Sequence, residues 1–339
     1  MSLQAPAFVT LNPSFIEPEI LIQNSQPSGF IDVLAGGQLR TRLAEDDLLV
    51  YMKKMNLRTR IASGQSGGFQ ELPGIDISMS YMSTATYLFK TRFEYDHHDV
   101  NAGARWGVGL PEAYRKGSLQ ANYQLARDAC LYGMNPQWSE GIINAPDALA
   151  ENLPPDSNGQ DTARTYDNGE MAFYLANVIR QIKTRTYQIG MGRKFTILGP
   201  MRDLSLFEYN VVQLTQFQRI GAGTASTLET LRKIVAEGGD VINWCYDDTL
   251  IGKGDGGKDL VIVIMPEIQV PSAEGINTNI FASTTPASAV NTTQYCDMAA
   301  PREITAPLPG GGTDVVTEWR LSSGWSPRSI ATTLISMEY

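Results

Sequence analysis

The sequence has few of the residues on which most enzymes, metal proteins and secreted proteins depend. Only two histidines occur in 339 residues, and the three cysteines form no CxxC pair. The cysteines therefore indicate neither a zinc knuckle nor a disulfide framework. With His97 and His98 as the only candidate bases for a Ser or Cys nucleophile, hydrolase chemistry of that kind is disfavoured. We predict no catalytic residue, no metal ligand and no cofactor.

Charge is also scarce, and positive charge more so. Charged residues make up 19% of the chain, against roughly 25% in an average soluble domain, which suggests that other subunits cover much of the surface. The net charge is -9, which argues against tight nucleic-acid binding, because that affinity comes from clustered Lys and Arg. One basic concentration exists, and we interpret it as a solvated or subunit-facing segment, with contact to nucleic acid as the alternative. Its members are Arg40, Arg42, Lys53, Lys54, Arg58 and Arg60.

No long hydrophobic run is present. The clearest apolar run, Leu260–Met265, is far too short to span a bilayer. The opening MSLQAPAFVTLNPSF lacks the basic and apolar regions of a standard signal peptide. We expect a protein without a membrane segment that is made in the cytoplasm.

The first hundred residues contain extended structure. Residues 1–35 carry four prolines among scattered hydrophobic residues and predict an extended arm that needs a neighbour to lie on. A charged segment, Leu39–Met55, predicts a short helix. Two long strands follow, joined by a glycine-rich tip at Gly64–Gly74. The second strand alternates Ile75, Ile77, Met79 and Tyr81 with small polar residues, so it needs a partner to cover its apolar face.

Clear helix signals come next. Leu110-Pro111-Glu112 opens a helix, and Gly133 stands where a C-terminal cap belongs. The segment Asn168–Tyr187 repeats hydrophobic residues at helical spacing. A capping box at Ser226–Glu229 opens another helix that we expect to bury Leu228, Leu231, Ile234 and Val235.

The remaining elements are mostly strands. KFTILGP predicts a short buried strand, and DVINWCYDDTLI and KDLVIVIMP predict two strands on either side of a glycine loop. Residues 271–312, rich in Thr, Ala, Ser, Pro and Gly, predict a long surface excursion. The end of the chain, residues 317–339, returns to strand character around Trp319, Leu321 and Trp325.

The loop Gly252–Lys258 matches both GxGxxG and GxxxxGK. A phosphate-binding loop needs a following helix, whose N-terminal amides hold the phosphate. Here LVIVIMP follows, and Asp259 replaces the Ser or Thr that would hold magnesium. We therefore interpret the loop as a hairpin tip.

Two other clusters could suggest chemistry. Asp96-His97-His98-Asp99 could suggest a metal site, but adjacent residues of a strand point to opposite faces, so we expect a structural role for both histidines. Asp247-Asp248 could be a carboxylate pair, but no companion histidine or third ligand accompanies it. A turn or strand end is the interpretation that we prefer for it.

The serial order of these pieces resembles the tailed-phage major capsid proteins, whose Hong Kong-type fold is shared with encapsulins and the herpesvirus capsid floor. The resemblance rests on FKTRFEYDHHDVNAG, then LPEAYRKGSLQANYQLARDACLYG, then GIINAPDAL. Residues 317–339 resemble the family's final return, with GWSPRSI in place of the family's run of glycine, valine, proline and alanine. The resemblance implies an α+β fold with an N-arm, an extended E-loop hairpin, a peripheral domain with a long spine helix, and an axial domain.

The resemblance also implies a division of the chain. Residues 1–50 would form the arm and short helix, and 51–90 the E-loop hairpin. Residues 91–150 would form the peripheral domain with the spine helix at 112–132, tightly packed through Ala113, Ala121, Ala126 and Ala129. Residues 151–266 would form the axial domain, and 267–339 the insertion at 271–312 and the return strands.

The implied function is structural. We expect pentamers and hexamers of an icosahedral phage head enclosing double-stranded DNA, with the chain located in the virion capsid after assembly in the host cytoplasm. Expected partners are further copies of the chain, a portal, a separate scaffold, a decoration protein, and DNA held without sequence specificity. The alternatives are an encapsulin-like compartment shell and a nucleotide-binding enzyme that uses Gly252–Lys258.

Overall fold

A computed structural model describes most of the chain as a mixed helix and sheet fold. The predicted arm and the predicted glycine-rich tip lie outside the described residues. The described ranges are 43–59, 75–105, 107, 109–166, 168–186, 192–209, 211–212, 225–269, 289–293, 295–298 and 300–339.

The described residues form helices and strands in mixed order. The helices are α1 (His97–Arg105), α2 (Leu110–Leu131), α3 (Asn168–Arg185), α4 (Met201–Tyr209) and α5 (Thr227–Glu237). The strands are β1 (Leu49–Thr59), β2 (Ile75–Asp96), β3 (Leu149–Asn152), β4 (Lys194–Gly199), β5 (Val211–Val212), β6 (Ala225–Ser226), β7 (Val241–Tyr246), β8 (Asp259–Ile264), β9 (Glu267–Gln269), β10 (Ala289–Asn291), β11 (Arg302–Pro307), β12 (Gly312–Ser322) and β13 (Thr332–Met337).

A four-stranded antiparallel sheet, ordered β1-β2-β12-β11, is built on the 22-residue strand β2. Residues 75–85 of β2 pair with β1, and residues 86–96 pair with β12 on its other side. The second predicted long strand is thus confirmed, and of the first, predicted from Leu57 to the tip, the described residues 57–59 are in a strand. The predicted helix over Leu39–Met55 is wrong where it can be checked, because Leu49–Thr59 is a strand. Backbone pairing with β2 outweighs the helical preference of that charged segment.

Helix α2 packs along β2 and β12, as the predicted spine helix would. The rings of Phe93 and Tyr114 stack at 5.7 Å between centroids, and those of Tyr123 and Trp319 meet edge-on at 6.3 Å. The predicted helix at 112–132 is confirmed, with its start two residues earlier. Of the four alanines expected to pack closely, only Ala126 and Ala129 are buried, whereas Ala113 and Ala121 are exposed.

Three glycines make a tight crossing at the end of α2. Gly133 has φ +71°, as expected after a helix end, and a Cβ there would lie 2.4 Å from the Glu140 carbonyl oxygen. A Cβ on Gly141 would lie 2.5 Å from the Gly133 nitrogen, and one on Gly324 would lie 2.6 Å from the Cys130 carbonyl oxygen. Gly141 donates its N–H to the Gly324 carbonyl. The helix end, the following loop and the C-terminal segment therefore meet backbone to backbone.

A second sheet, ordered β3-β13-β8-β4-β7, contains five strands. One face of its central strands, with Phe195, Val261 and Ile335, packs against α3 and α5. The other face, with Leu198 and Ile262, packs against the buried end of α2 and against β12. This second cluster joins the two sheets into one continuous core.

The sequence predicted most elements of this half of the chain. The helix expected over Asn168–Tyr187 is confirmed as α3, the expected buried strand as β4, and the two further expected strands as β7 and β8. In α5, Leu228, Leu231 and Val235 are buried as expected, but Ile234 is 37% exposed. Helix α4 was not predicted. No described helix is long and apolar enough to cross a membrane.

The expected surface excursion at 271–312 is wrong at its C-terminal end. Arg302–Pro307 forms strand β11 on the edge of the four-stranded sheet, because it pairs with β12 over its whole length. Just before it, Thr292 and Thr293 are buried. The division of the chain at residues 50, 90, 150 and 266 stays a prediction, although β2 passes residue 90 without a break.

Candidate assembly surfaces

The base of the β1–β2 hairpin leaves one apolar face uncovered. Because Tyr51 pairs with Ser83 and Lys53 pairs with Tyr81, both tyrosines lie on the same face of the hairpin. Tyr51 is 66% exposed and Tyr81 is 71% exposed, and Leu49 on that face is 49% exposed. We call Leu49, Tyr51 and Tyr81 the hairpin face. The exposure of Tyr81 agrees with the predicted unpartnered face, while the side chains of Ile75, Ile77 and Met79 lie outside the described part.

The opposite face of the same hairpin base is packed. Val50 and Met82 contact a buried cluster formed by Leu43, Cys296 and Trp325. Thr84 is buried too, with its hydroxyl 3.5 Å from that of Ser323. The hairpin base is therefore fixed to the body of the chain on one side and presents the hairpin face on the other.

Strand β2 changes partners between Ala85 and Thr86. The Thr86 N–H still donates to the Leu48 carbonyl at 3.1 Å. Arg320 on β12 donates from Nη1 to the Asp47 carbonyl and to the Thr86 hydroxyl, each at 3.0 Å. The Arg320 guanidinium thus connects the segment before β1, the middle of β2 and β12 at the point where β2 changes from one partner strand to the other.

The carboxyl ends of β4 and β7 carry a second exposed apolar surface. These parallel strands end together, since Gly199 pairs with Tyr246. Met201 is 55% exposed, Tyr246 42% and Ile251 40%. Strand β7 is also the edge of the five-stranded sheet, and edge strands are common sites of association. We call Met201, Tyr246 and Ile251 the sheet-end surface.

A buried acidic pair lies behind the sheet-end surface. Asp259 is 2% exposed and accepts from Arg202 Nε at 2.6 Å, Arg202 Nη2 at 2.7 Å and the Gly252 N–H at 2.9 Å. Asp203 is fully buried, and neither of its oxygens receives a hydrogen bond from an N–H or hydroxyl donor among the described residues. Burial, together with the hydrogen bond and negative charge of Asp259, raises the pKa of Asp203 to about 7. The pair is satisfied when Asp203 keeps its proton and donates it to Asp259.

Backbone amides of the glycine loop Gly252–Lys258 donate to other groups of the protein. Gly254 donates to the Lys258 carbonyl at 2.7 Å, and Asp255 donates to Ser336 Oγ at 2.9 Å. The Lys258 ammonium lies 2.9 Å from Asp161. Strand β8 follows the loop directly, so the loop lacks the following α-helix whose N-terminal amides a phosphate site requires.

The hairpin interpretation of this loop is nevertheless wrong. Strands β7 and β8 do not pair, because β4 lies between them in the sheet. The loop is a crossover that carries the chain past one strand. Sequence pattern showed two strands and a glycine turn, but it could not show that an earlier strand occupies the place between them.

Asp247 and Asp248 both accept hydrogen bonds from backbone N–H groups at the start of a helical turn. Asp247 is buried and accepts from the Thr249 N–H at 3.0 Å and the Thr249 hydroxyl at 2.7 Å. Asp248 accepts from the Met201 N–H at 2.8 Å. The preferred turn interpretation is confirmed by these contacts.

The histidine pair is not arranged as the sequence suggested. Both histidines lie in the first turn of α1 rather than on a strand, and their ring centroids are 3.8 Å apart. The expectation that they point to opposite faces is therefore wrong. Of the basic concentration, Lys53, Lys54 and Arg58 belong to β1, while Arg40, Arg42 and Arg60 lie outside the described residues.

Sequence reasoning missed the sheet-end surface and the Arg320 contacts. The former depends on β4 and β7 ending side by side, which no local pattern reveals. The hairpin face had a local signal, the alternation that includes Tyr81.

Comparisons with known proteins show which solved structures share this fold. No family model matches the sequence, and no curated protein matches it. Solved structures do match. The capsid of Myoviridae phage XM1 aligns at TM-score 0.66 with 11% identity, over 97% of this chain and 98% of that one. The capsid of a native GTA particle aligns at 0.58 with 8% identity, over 97% and 96%. A chain of Mycobacterium phage Adephagia aligns at 0.56 with 8% identity, over 97% and 95%.

These alignments cover nearly the whole of both chains, so they concern the complete architecture rather than one shared motif. The chain therefore has the Hong Kong-type fold of tailed-phage major capsid proteins.

Proposed function

We propose that this chain is the major capsid protein of a tailed phage and that it assembles into pentamers and hexamers of an icosahedral head around double-stranded DNA. The full-length similarity to the XM1 capsid carries the proposal. In this proposal the chain resides in the virion and has a structural rather than an enzymatic role. The portal, a separate scaffold and a decoration protein are further proposed partners.

The exposed apolar surfaces support self-association. The hairpin face and the sheet-end surface lie on different sheets, so each can meet a different neighbour. Burying one large apolar side chain stabilises a contact by roughly 1.5–3 kcal/mol. Each interface is then modest, and repetition around a closed shell makes the total large.

The acidic character of the chain fits DNA that is enclosed by the shell without being bound tightly to it. A net charge of -9 per subunit gives the shell few cations with which to neutralise phosphates. We propose that DNA touches the inner wall without sequence specificity and without tight binding.

Electron microscopy and light scattering of the purified chain test the proposal. The full-length protein, alone or with its scaffold, should form closed shells or five- and six-fold rings, and removal of residues 1–35 should prevent closure. A stable monomer or dimer under all these conditions would contradict a capsid role.

A matched pair of variants tests the hairpin face. Tyr51→Glu/Tyr81→Glu adds charge to an apolar contact and should leave soluble, folded subunits that fail to assemble. Tyr51→Phe/Tyr81→Phe keeps the apolar area and should still assemble. Because both tyrosines are exposed, neither variant should unfold, which circular dichroism checks. Equal assembly by the two variants would exclude the hairpin face as an interface.

A further inference from the structure

Three potential metal ligands converge where β2 passes into α1. Asp96 is the last residue of β2, and His97 and His98 are the first two residues of α1. One ligand atom from each lies within 4.8 Å of those of the other two. The Nδ1 atom of His97 lies 2.6 Å from Asp96 Oδ1. The side chains are on the surface, with 55% of His97 and 42% of Asp96 exposed.

The strand-to-helix transition creates this convergence. On a continuing strand, neighbouring side chains would point to opposite faces, but at the start of a helix they are turned by only about 100°. The facing turn before β12 leaves room for them. Gly311 has φ +94°, and a Cβ there would already lie 3.4 Å from His97 Nδ1. A glycine at this position keeps the histidine side open.

The local charge suits a cation despite the position at a helix N-terminus, where the helix dipole disfavours positive charge. Two carboxylates offset the dipole, since Asp99 lies in the same turn and accepts the Asp96 N–H at 3.3 Å. With neutral imidazoles, the group Asp96, His97, His98 and Asp99 carries two formal negative charges.

We propose that Asp96, His97 and His98 bind a divalent transition-metal ion of the zinc class. Imidazole nitrogen with one carboxylate oxygen is a donor set that zinc-class ions prefer, whereas magnesium and calcium prefer oxygen alone. Ligands of a tetrahedral ion stand about 3.5 Å apart at bond lengths near 2.1 Å, so small rotations of exposed side chains complete the site. Three protein ligands leave a position for water. The proposal does not depend on assembly or on the capsid role.

Metal content measured on the untagged chain tests this site directly. The protein is stripped with chelator, dialysed against buffered micromolar Zn²⁺, and assayed by plasma mass spectrometry. We expect about one zinc ion per chain. His97→Ala/His98→Ala should weaken binding by about tenfold or more, and Asp96→Asn should weaken it as well. Glu94→Gln, a change to another exposed carboxylate on β2, should leave binding unchanged.

Thiols are the competing ligands, and the experiment separates them. Cys130 and Cys296 are buried, and Cys245 is partly buried, so Cys245→Ser is the matched control. Its zinc content should equal that of the wild type, and bound Co²⁺ should show no thiolate charge-transfer band. Zinc retained in the double histidine variant, zinc lost in Cys245→Ser, or no zinc bound at 100-fold higher concentration would each overturn the proposal. Circular dichroism confirms that each variant is folded.

Discussion

At the scale of single residues, the most constrained positions are the glycines that end α2. Gly133, just beyond the end of α2, combines a positive φ with a carbonyl oxygen 2.4 Å from its Cβ position, whereas Gly117, inside α2, has nothing within 4 Å of its Cβ position. The two glycines are under opposite constraints, which makes them a matched pair.

Gly133→Ala should destabilise the protein by about 1–3 kcal/mol or more, because the new methyl group meets backbone that cannot move aside. Gly117→Ala should stabilise it by about 0.5–1 kcal/mol, because alanine has less backbone freedom than glycine in the unfolded chain and so loses less entropy on forming the helix. Chemical denaturation of unassembled subunits measures both changes. Equal effects of the two substitutions would contradict the tight crossing at Gly133, Gly141 and Gly324.

Asp203 should make stability depend on pH. Its native pKa, raised to about 7 by burial and by Asp259, exceeds the unfolded value near 3.9. The native state therefore holds the extra proton between about pH 4 and pH 7, and stability falls as pH rises through that window. Asp203→Asn keeps a donor to Asp259 and cannot titrate.

The comparison between wild type and Asp203→Asn isolates this carboxyl group. From pH 5 to pH 8 the wild type should lose more unfolding free energy than the variant, on the order of a few kcal/mol. Denaturation at the two pH values measures the difference. Parallel pH profiles for the two proteins would show that Asp203 is ionised throughout.

At the scale of elements, the junction at Ala85 and Thr86 joins two ladders on opposite sides of β2. Arg320 holds this junction through Asp47 and Thr86. We expect Arg320→Ala to increase hydrogen exchange at the Thr86 amide and in residues 44–48, because the hydrogen bonds that hold this segment against β2 and β12 are lost. Exchange in residues 89–96, which pair directly with β12, should change little.

Arg328→Ala provides the control, since Arg328 is an exposed arginine beyond β12. It should leave the exchange pattern unchanged. If Arg320→Ala also left exchange at Thr86 unchanged, the two strand ladders would suffice to fix the junction.

Elements with a strong local pattern could be predicted, and those decided by distant pairing could not. The helical spacing of Met171, Leu175 and Val178 predicts helix α3, and all three residues are buried. The segment before Met55 has charges typical of a surface helix, but it forms a strand because its backbone pairs with β2. Likewise, β11 exists because β12 offers it an edge.

The candidate surfaces follow the same distinction. Alternation pointed to the face of Tyr81, because a strand pattern is local. The sheet-end surface joins Met201 and Ile251, which lie 50 positions apart in the sequence, and only the parallel pairing of β4 with β7 places them at one end. The histidine pair depended on where β2 stops, and a boundary error of one residue changes which side chains converge.

At the scale of the whole molecule, the net negative charge opposes the self-association that the apolar surfaces favour. Each subunit carries a net charge of -9, so approaching copies repel one another over a Debye length of roughly 10 Å at 0.1 M salt. Raising sodium chloride from about 0.05 M to 0.5 M should therefore promote assembly of the wild type. Light scattering measures the change. Dissociation on adding salt would indicate that ion pairs, rather than apolar surfaces, hold the subunits together.

The unbroken strand β2 determines how the molecule carries mechanical load. Its 22 residues span about 70 Å at roughly 3.3 Å per residue, from the hairpin to the turn beside α1. Hydrogen bonds of an antiparallel ladder run across the strands, so tension along β2 loads many of them in shear at once instead of opening them one by one. In the proposed shell, a neighbour that pulls on the hairpin while the contents press outward would thus strain the ladder in its strongest direction.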